Sequence, residues 1–515
     1  MIGTDRRCAR SALVGVAFAL SAGACSSASG EPVNTAPDIV SYSGVPSIPA
    51  PDDRFAGLPT TVWSAVGATV SYQPDSFDVE DFGANPDDSE SDSEAINLAI
   101  QAAHDAGGGV VNIGEGTFVL TDSVRLASRV TLRGEGRATR LELDLNDQSG
   151  YGILASGTAD EEWTSLESDL QAGTSALTID VPEETSLVEI EQENTDDIIT
   201  KPKWDVEWGE RAEGELSTLT GRDDSGSFTT AVPLISSYSV ERGARVRAVQ
   251  PVEDVGIESL TIVRRDEGYG HMISLRFTRN AWVYDVVSTR TSFAHVGIEQ
   301  SVNCTVANSV FHDATDFGDG GRAYGVSLSR HTTSCLVANN TLYELRHALI
   351  LQLGASGNVI AYNHARGSAG YEDRRPRADI SLHGHWPQKN LFEGNIVDRI
   401  EVGDWWGPAG PANTFLRNCV LDHVVVLDSS EDQNFIGNIF GTGGVTIDES
   451  VEETTFISND GGPVLNPDSD STLPVSLWRS DAPQFLGGEW PPIDPSSDSP
   501  ACDLPASGRS PIGNR

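Results

Sequence analysis

The fold is indicated by four stretches in the second half of the chain, "GNVIAYNHA" (357–365), "KNLFEGNIV" (389–397), "ANTFLRNCV" (412–420) and "DQNFIGNIF" (432–440). Each combines a short apolar alternation with an asparagine near its end. Two earlier stretches, "NCTVANSVF" (303–311) and "SCLVANNTL" (334–342), follow the same pattern. The aligned residues are Asn308, Asn339, Asn363, Asn395, Asn418 and Asn438, at spacings of 20 to 32 residues.

The repeat predicts a solenoid of short strands with one coil per repeat. The apolar period within each coil is two, which excludes helical repeats. Asparagine tolerates the left-handed conformation at a corner, and stacked amides can bond along the axis. The fold class expected is therefore all-β, a single-stranded parallel β-helix with the six asparagines at one corner.

A solenoid needs an end cap, because its first coil would otherwise expose a strand edge. The stretch "SDSEAINLAIQAAHDAGGG" (91–109) predicts a helix from about 92 to 106. Ser91 and Glu94 have the spacing of a capping box, and Gly107 is placed to end the helix. We expect Ile96 and Ile100 to face the first coil.

The N-terminal part of the predicted solenoid resembles a known family. "DFGANPDDSESDSEAINLAIQAAHDAGGGVVNIGEGTFVL" (81–120), followed by "VTLRGEG" (130–136), resembles the N-terminal signature of the pectate-lyase-like superfamily, the group with rhamnogalacturonases, polygalacturonases and phage depolymerases. The resemblance is specific over Phe77–Gly136 and continues as coil periodicity to about Asn459. It implies a right-handed β-helix that acts on polysaccharide, and it does not choose the reaction.

The expected organisation has six parts. They are a signal peptide (1–25), a flexible tether (26–75), the cap and first coils (76–137), an inserted β-rich module (138–250), the main coils (251–465) and a loop-rich tail over the C-terminal end (466–515). Arg6, Arg7 and Arg10 precede a short apolar run, as in a secretory signal. "AGAC" resembles a lipobox that would lipidate Cys25, although Ala22 replaces the usual leucine, and plain secretion is the alternative. Either way we expect an extracellular or cell-envelope location.

The charge restricts the partners. A formal charge of −42 disfavours nucleic acid and anionic lipid, so membrane contact would come only through a lipid anchor. The acidic excess is absent from Arg264 to Arg377, which has 12 Arg, no Lys and 10 Asp plus Glu. Cys304 and Cys335 occupy matching positions on adjacent repeats and are expected to stack in the core.

One surface combines the neutral stretch with most of the histidines. "SLHGHW" (381–386) places His383 at the outward end of a first-sheet strand, in a column with Arg276, Glu299, Ser329 and Gln352. His383 is the first candidate for proton transfer, with His385, Lys389 and Asp404 (or Glu401) as further candidates on the same or next coil. The expected substrate-binding residues are Arg276, Glu299, Arg330, Arg346, Gln352 and Asp379. His347 is expected in the core.

Three functions stay open for this surface. β-Elimination from an acidic glycan needs a cation for the carboxylate and a base, and arginine and histidine suit these roles. Hydrolysis needs two carboxyl groups across the bond, and only Asp404 or Glu401 could help supply them. A non-catalytic glycan-binding β-helix is the third. Asp313, Asp316 and Asp319 could hold Ca²⁺, although a solvated loop is the better interpretation. We favour an acidic polysaccharide partner and a lyase.

Overall fold

The computed structural model describes residues 57–201, 203, 207–318, 321–368, 378–461, 473–496 and 502–509. Its main body is a parallel β-helix, as predicted, built around one 28-stranded sheet. Cys25, the signal segment and Asp319 lie outside the described residues. No helix in the described ranges is long and apolar enough to cross a membrane.

The N-terminal part begins the β-helix. Its elements are α1 (Thr60–Trp63), β1 (Ser76–Asp78), α2 (Ser93–Asp105), β2 (Gly109–Asn112), β3 (Gly116–Leu120), β4 (Val124–Arg125), β5 (Val130–Arg133), β6 (Thr139–Leu143) and β7 (Ile153–Ser156). Short 3₁₀ turns occur at Val79–Phe82 and Gly136–Ala138. Helix α2 covers the first coil, with Ile96 and Ile100 buried as predicted.

The start of α2 differs from the expected capping box. Asp92 is the N-cap residue, and its carboxylate accepts hydrogen bonds from the backbone N–H groups of Asn85 and Val119. Ser91 instead lies within hydrogen-bond distance of the Thr121 hydroxyl. The Asp92 side chain therefore links the helix to the first coil and does not bond to the N–H groups of the helix's own first turn.

An antiparallel module interrupts the coils. Its strands are β8 (Thr158–Ala159), β9 (Thr164–Ser165), β10 (Ala176–Leu177), β11 (Leu187–Glu191), β12 (Gly214–Arg222), β13 (Phe228–Thr230) and β14 (Arg245–Gln250). Further 3₁₀ turns lie at Glu207–Gly209 and Val240–Arg242. The module is shorter than the expected range, because β6 and β7 pair with coil strands. Its sheet therefore begins only at Thr158.

The remaining coils follow the module. Their strands are β15 (Val252–Glu253), β16 (Gly256–Arg264), β17 (Ile273–Arg276), β18 (Thr278–Arg279), β19 (Trp282–Thr291), β20 (Ala294–Glu299), β21 (Thr305–Ala307), β22 (Val310–Ala314), β23 (Tyr324–Ser329), β24 (Leu336–Ala338), β25 (Thr341–Tyr343), β26 (His347–Leu351), β27 (Val359–Ala361), β28 (His364–Arg366), β29 (Ile380–Leu382), β30 (Leu391–Glu393), β31 (Ile396–Val402), β32 (Thr414–Leu416), β33 (Cys419–Val426), β34 (Gln433–Ile436), β35 (Ile439–Phe440), β36 (Gly444–Ile447) and β37 (Thr454–Ile457). The last 3₁₀ turns are Gln484–Leu486 and Pro505–Gly508.

The interior is one continuous apolar core running along the axis. Four phenylalanines from successive coils stack inside it with ring centroids 4.6 to 5.0 Å apart, namely Phe392, Phe415, Phe435 and Phe456. Cys304 and Cys335 are free and buried in the same core, as expected.

The asparagine ladder is offset by one residue in its first two coils. The amide ladder that bonds from coil to coil, at 2.9 to 3.0 Å, runs through Asn340, Asn363, Asn395, Asn418, Asn438 and Asn459, while Asn339 donates separately to Asn308 at 2.6 Å. Asn308 and Asn339 precede the ladder position and have φ values of 55° and 54°. The left-handed residue and the ladder residue thus occupy adjacent positions in each coil. The sequence alignment treated them as one position.

The second sheet (β21, β24, β27, β30, β32, β34 and β37) is packed on both faces, and its outward side chains are mostly apolar, with a few buried polar ones such as Thr305, Glu393 and Thr414. Its outward side chains, including Leu336, Val359 and Leu391, form a second core with the N-terminal segment and the C-terminal tail. Trp63 is fully buried there, and Leu477 and Trp478 of the tail are buried with it. Residues 58–72, expected within the tether, are therefore packed structure.

The tail also differs in its course. Its described parts, 473–496 and 502–509, run back along the second sheet instead of over the C-terminal end. A disulfide joins Cys419 to Cys502, and Arg509 donates a hydrogen bond to the carbonyl of Asn339 at 2.6 Å. The tail thus follows the outside of several coils.

Candidate functional site

A row of aromatic and imidazole rings lies on the outer face of the first sheet (β7, β17, β20, β23, β26, β29 and β31). In order along the axis, successive centroids lie 4.4 to 6.4 Å apart for Tyr151, His271, Phe293, Tyr324, His347, His383, Trp406 and Trp405. As far as His347 the rings come from the starts of the strands, and from His383 onward they follow the strand ends. We call this set the ring row. It crosses the sheet diagonally.

His383 and Asp404 form an ion-pair contact within the ring row. The contact joins His383 Nδ1 to a carboxylate oxygen of Asp404, and the His383 side chain is 13% exposed. The other carboxylate oxygen accepts a hydrogen bond from the Trp406 N–H at 2.9 Å. Burial would raise the pKa of Asp404, but the charge and hydrogen bond of His383 outweigh burial and lower that pKa. Asp404 therefore stays ionised and orients the imidazole.

His385 and Lys389 lie outside this pair. His385 is fully buried and stacks on Trp208 of the module, with centroids 5.2 Å apart. Burial lowers the pKa of His385 to about 4. Lys389 donates a hydrogen bond to the carbonyl of Ile235 at 2.6 Å. Both side chains contact the module, so they lie at the module contact rather than in the His383–Asp404 pair.

Arg346 is a buried cation beside the ring row. It is 7% exposed, and its guanidinium stands over the Tyr324 ring at 5.8 Å from the centroid. Its Nε has no hydrogen-bond partner. In the described part of the chain no carboxylate lies within ion-pair distance of Arg346. A buried guanidinium without an acid is costly, and a bound carboxylate would relieve that cost.

The expected outward column is present. Arg276 pairs in register with Glu299, Glu299 pairs with Ser329, and the Gln352 and His383 N–H groups bond to the preceding coils. Arg276 is exposed, and the others except buried Ser329 are half-buried. The column ends at His383.

Arg330 and Asp379 occupy other positions. Arg330 is half-buried at the turn after β23, where its φ is 48°. Asp379 is fully buried, and its carboxylate accepts hydrogen bonds from the backbone N–H groups of Asp398 and Arg399. Burial raises the pKa of Asp379 to about 7. The structure does not bring Asp379 to the groove surface.

The aspartates expected to hold Ca²⁺ have other partners. Asp316 pairs with Arg322 at 2.6 Å, and Asp313 lies 2.9 Å from His312 Nδ1. These described residues do not converge on a common point.

Among the described residues, one potential metal-ligating group does converge, namely Glu189, Glu191 and His331. It does not fit a cation, because arginines already occupy it. Arg247 binds Glu189 and Arg245 binds Glu191, each at 2.6 Å. The group is an ion-pair network between the module and the coils.

The module forms a wall beside the strand ends. Leu187 and Leu216 pack on Phe277 near one end, and Lys201 pairs with Asp428 at 2.7 Å near the other. Lys203 stands over the exposed Trp405 ring at 4.1 Å. The wall therefore borders the end of the groove that contains His383.

Sequence reasoning missed much of the ring row. His347 lies beside His383 and not in the core, since Ala348 and Leu349 both point inward and break the strict alternation. His271 is outward for the same reason, because Met272 and Ile273 are both core residues. The concentration of histidines in this region was the available signal. Strict alternation along the strand, however, assigned His347 to the wrong face.

The fold is a parallel β-helix that begins with a capping helix. Residues 76–200 match the family "Rhamnogalacturonase A/epimerase, pectate lyase-like". No curated protein matches the chain. The predicted resemblance to the pectate-lyase-like superfamily is thereby confirmed.

Solved structures share the fold. The tailspike gp61 of Pseudomonas phage phi297 is 14% identical with a TM-score of 0.52, over 74% of this chain and 68% of the tailspike. The tailspike gp49 from Pseudomonas phage LKA1 is 15% identical with a TM-score of 0.47, over 75% of this chain and 81% of that one. At 14% identity the similarity to gp61 shows the fold alone.

Proposed function

We propose that the protein binds an acidic polysaccharide along the ring row and cleaves it by β-elimination. The observation that carries the proposal is the contact between His383 and the ionised Asp404 inside a row of rings. The family match over 76–200 supports a glycan as the ligand. In this proposal His383 is the proton-transfer group and the ring row is the surface for sugars.

The ring row suits a sugar chain. Sugar rings present apolar C–H faces that pack on aromatic rings, and a coil rise of about 4.8 Å is close to the length of one sugar residue in an extended chain. Arg346, buried over Tyr324 without an acid partner, is placed to bind a uronate carboxylate. His347 lies between the Tyr324 and His383 rings, so carboxylate binding and proton transfer fall on neighbouring parts of one groove.

In the proposed reaction, neutral His383 removes the C5 proton of the uronate at Nε2. A double bond forms between C4 and C5, the C4–O bond breaks, and the departing oxygen takes a proton from the imidazolium or from water. Asp404 holds Nδ1, which orients the ring and stabilises its cationic form. Arg346 stabilises the negative charge that develops on the substrate carboxylate.

A non-catalytic glycan-binding role is the second candidate. Its support is the exposed rings at the two ends of the row, Tyr151 at 39% and Trp405 at 53%, because the central rings of His271, Tyr324 and His347 are each no more than 5% exposed. Hydrolysis is less well supported, because Asp404 is already held by His383 and the Trp406 N–H. A hydrolase would need a second carboxyl group, and Glu401 is the nearest candidate in sequence.

We also propose that the protein works outside the cytoplasm. The disulfide between Cys419 and Cys502 supports this location, because such bonds persist in oxidising compartments. Lipidation of Cys25 would anchor the chain to the cell envelope. Replacing Cys25 by serine in the full chain should then release the protein from the membrane fraction, and unchanged fractionation would leave plain secretion.

Polygalacturonate, alginate and hyaluronan provide the test of the reaction. The protein is incubated with each, with added Ca²⁺ or with a chelator, and ultraviolet absorbance and reducing ends are measured. β-Elimination gives unsaturated ends in equal number to new reducing ends. New reducing ends alone indicate hydrolysis, and binding without either product indicates the glycan-binding role. A chelator effect would show a need for Ca²⁺.

A further inference from the structure

The two ends of the ring row are its most exposed members. Among the described residues the exposed large hydrophobic side chains are Leu98, Tyr151, Val240, Trp405 and Val475. The two aromatic residues in this set, Tyr151 at 39% and Trp405 at 53%, are the first and last rings of the row. An exposed indole or phenol beside polar neighbours is a platform on which a sugar face can pack.

Each exposed ring contacts a neighbouring ring of the row. Tyr151 stacks on His271 with centroids 5.8 Å apart, and Trp405 meets the edge of Trp406 at 5.3 Å. Lys203 of the module stands over Trp405 at 4.1 Å. These contacts hold the exposed rings in place, so little side-chain freedom is lost when a ligand binds.

The platforms are unequally distant from His383. Six strand pairings separate the coil of Tyr151 from that of Trp405, along β7, β17, β20, β23, β26, β29 and β31. This spans about 29 Å along the axis. His383 follows β29, only one coil before the Trp405 end and five coils after the Tyr151 end.

We infer that the groove has a long binding arm that ends at Tyr151 and a short arm that ends at Trp405, with cleavage at His383 between them. This rests on the proposed function and specifies its ligand, an acidic oligosaccharide of about six or more residues. Chains that fill only the short arm and the centre bind without Tyr151. Longer chains gain the Tyr151 contact, and each cut leaves a short product on the Trp405 side.

The experiment uses oligosaccharides of about two to about eight residues prepared from polygalacturonate, alginate and hyaluronan. Cleavage is followed by kcat/KM and product length for the wild type, Tyr151→Ala and Trp405→Ala, with binding measured in parallel by calorimetry. Leu98→Ala is the control, because Leu98 is 49% exposed on the capping helix, away from the groove.

Tyr151→Ala should lower kcat/KM about tenfold for the longest oligosaccharides and leave the shortest substrates unchanged. Trp405→Ala should lower it for all lengths, and products should be unequal in size. Equal loss at every length for Tyr151→Ala, or products cut at the middle, would overturn the inference while leaving the proposed function intact. If no oligosaccharide is cleaved, the same length dependence should appear in binding. Its absence there also overturns the inference.

Discussion

The outer faces of the first and second sheets come from the same coils but differ in how the rest of the chain packs against them. The second sheet presents Leu336, Val359 and Leu391 outward, and the chain's own two terminal segments cover them. The first sheet presents the ring row, which is exposed at Tyr151 and Trp405 and nearly buried at its centre, and the module lies beside its strand ends. Which face the chain covers is thus decided by a few outward side chains per coil.

The difference separates stability from function. Covering an apolar face removes it from water and stabilises the fold. Keeping imidazoles and Arg346, which has no acid partner among the described residues, at the other face costs stability, as the unpartnered Nε of Arg346 and Nδ1 of His271 show. Natural proteins accept such costs where a ligand repays them. We therefore expect changes on the second sheet to affect unfolding and changes on the first to affect glycan binding or cleavage.

The largest expected effect is on the covered face. Trp63→Ala removes a fully buried indole whose Nε1–H donates to the Lys389 carbonyl at 2.8 Å. The free energy of unfolding should fall by about 3 to 5 kcal/mol. Urea unfolding measures this, and Leu98→Ala, at an exposed site, should change it by no more than about 0.5 kcal/mol. Equal effects of the two changes would contradict the packed role of residues 58–72.

The next largest effect is expected on turnover, from a change on the first sheet. His383→Ala should lower turnover about a hundredfold or more, because the proton-transfer group is lost. The fold should survive with a lower melting temperature, because the His383 side chain is only 13% exposed and its removal leaves the buried Asp404 carboxylate without its partner. Circular dichroism and product absorbance test both statements. His104→Ala is the matched control on helix α2. Full activity of the His383 variant would show that this residue has no role in proton transfer.

A smaller effect is expected at the tail. Cys502→Ser opens the disulfide that attaches the tail to the coils and should cost about 2 kcal/mol. Reducing agent should lower the melting temperature of the wild type and leave that of the variant unchanged. Activity measured well below the transition should not change. A loss of activity in the cold would mean that the tail supports the groove.

The smallest effect is a pH dependence at the module contact. Burial would lower the pKa of His331, but the hydrogen bond and charge of Glu189 outweigh burial and raise it. This raised pKa adds stability that is fully present below pH 6.5 and is lost as the pH rises through the folded value.

The melting temperature of the wild type should therefore fall on going to alkaline pH more than that of His331→Gln. The measurement is a thermal melt of both proteins across that range. Parallel curves would show that His331 is neutral in the folded state and that the network depends on Arg247 alone.

The sequence predicted the elements that follow a simple period. The coils, the capping helix and the outward position of His383 all follow from spacing alone. The asparagine ladder was displaced by one residue at Asn308 and Asn339, because the left-handed residue of these two coils is itself an asparagine, followed by Ser309 in one coil and by Asn340 in the other. The covering of the second sheet's outer face was not predicted, because in the sequence Leu336 and its neighbours resemble ordinary core residues. Contacts such as that of Tyr324 with Arg346 depend on rotamers, which no period encodes.

The most direct test of the central claim is hydroxyl-radical footprinting of His383→Ala with and without polygalacturonate, alginate or hyaluronan. The account predicts that a bound glycan protects Tyr151 and Trp405, the exposed ends of the ring row, and leaves Leu98 and Val475 as reactive as before. Protection of Val475 beside the second sheet, with Tyr151 and Trp405 still reactive, would contradict the claim that the open first sheet is the ligand face.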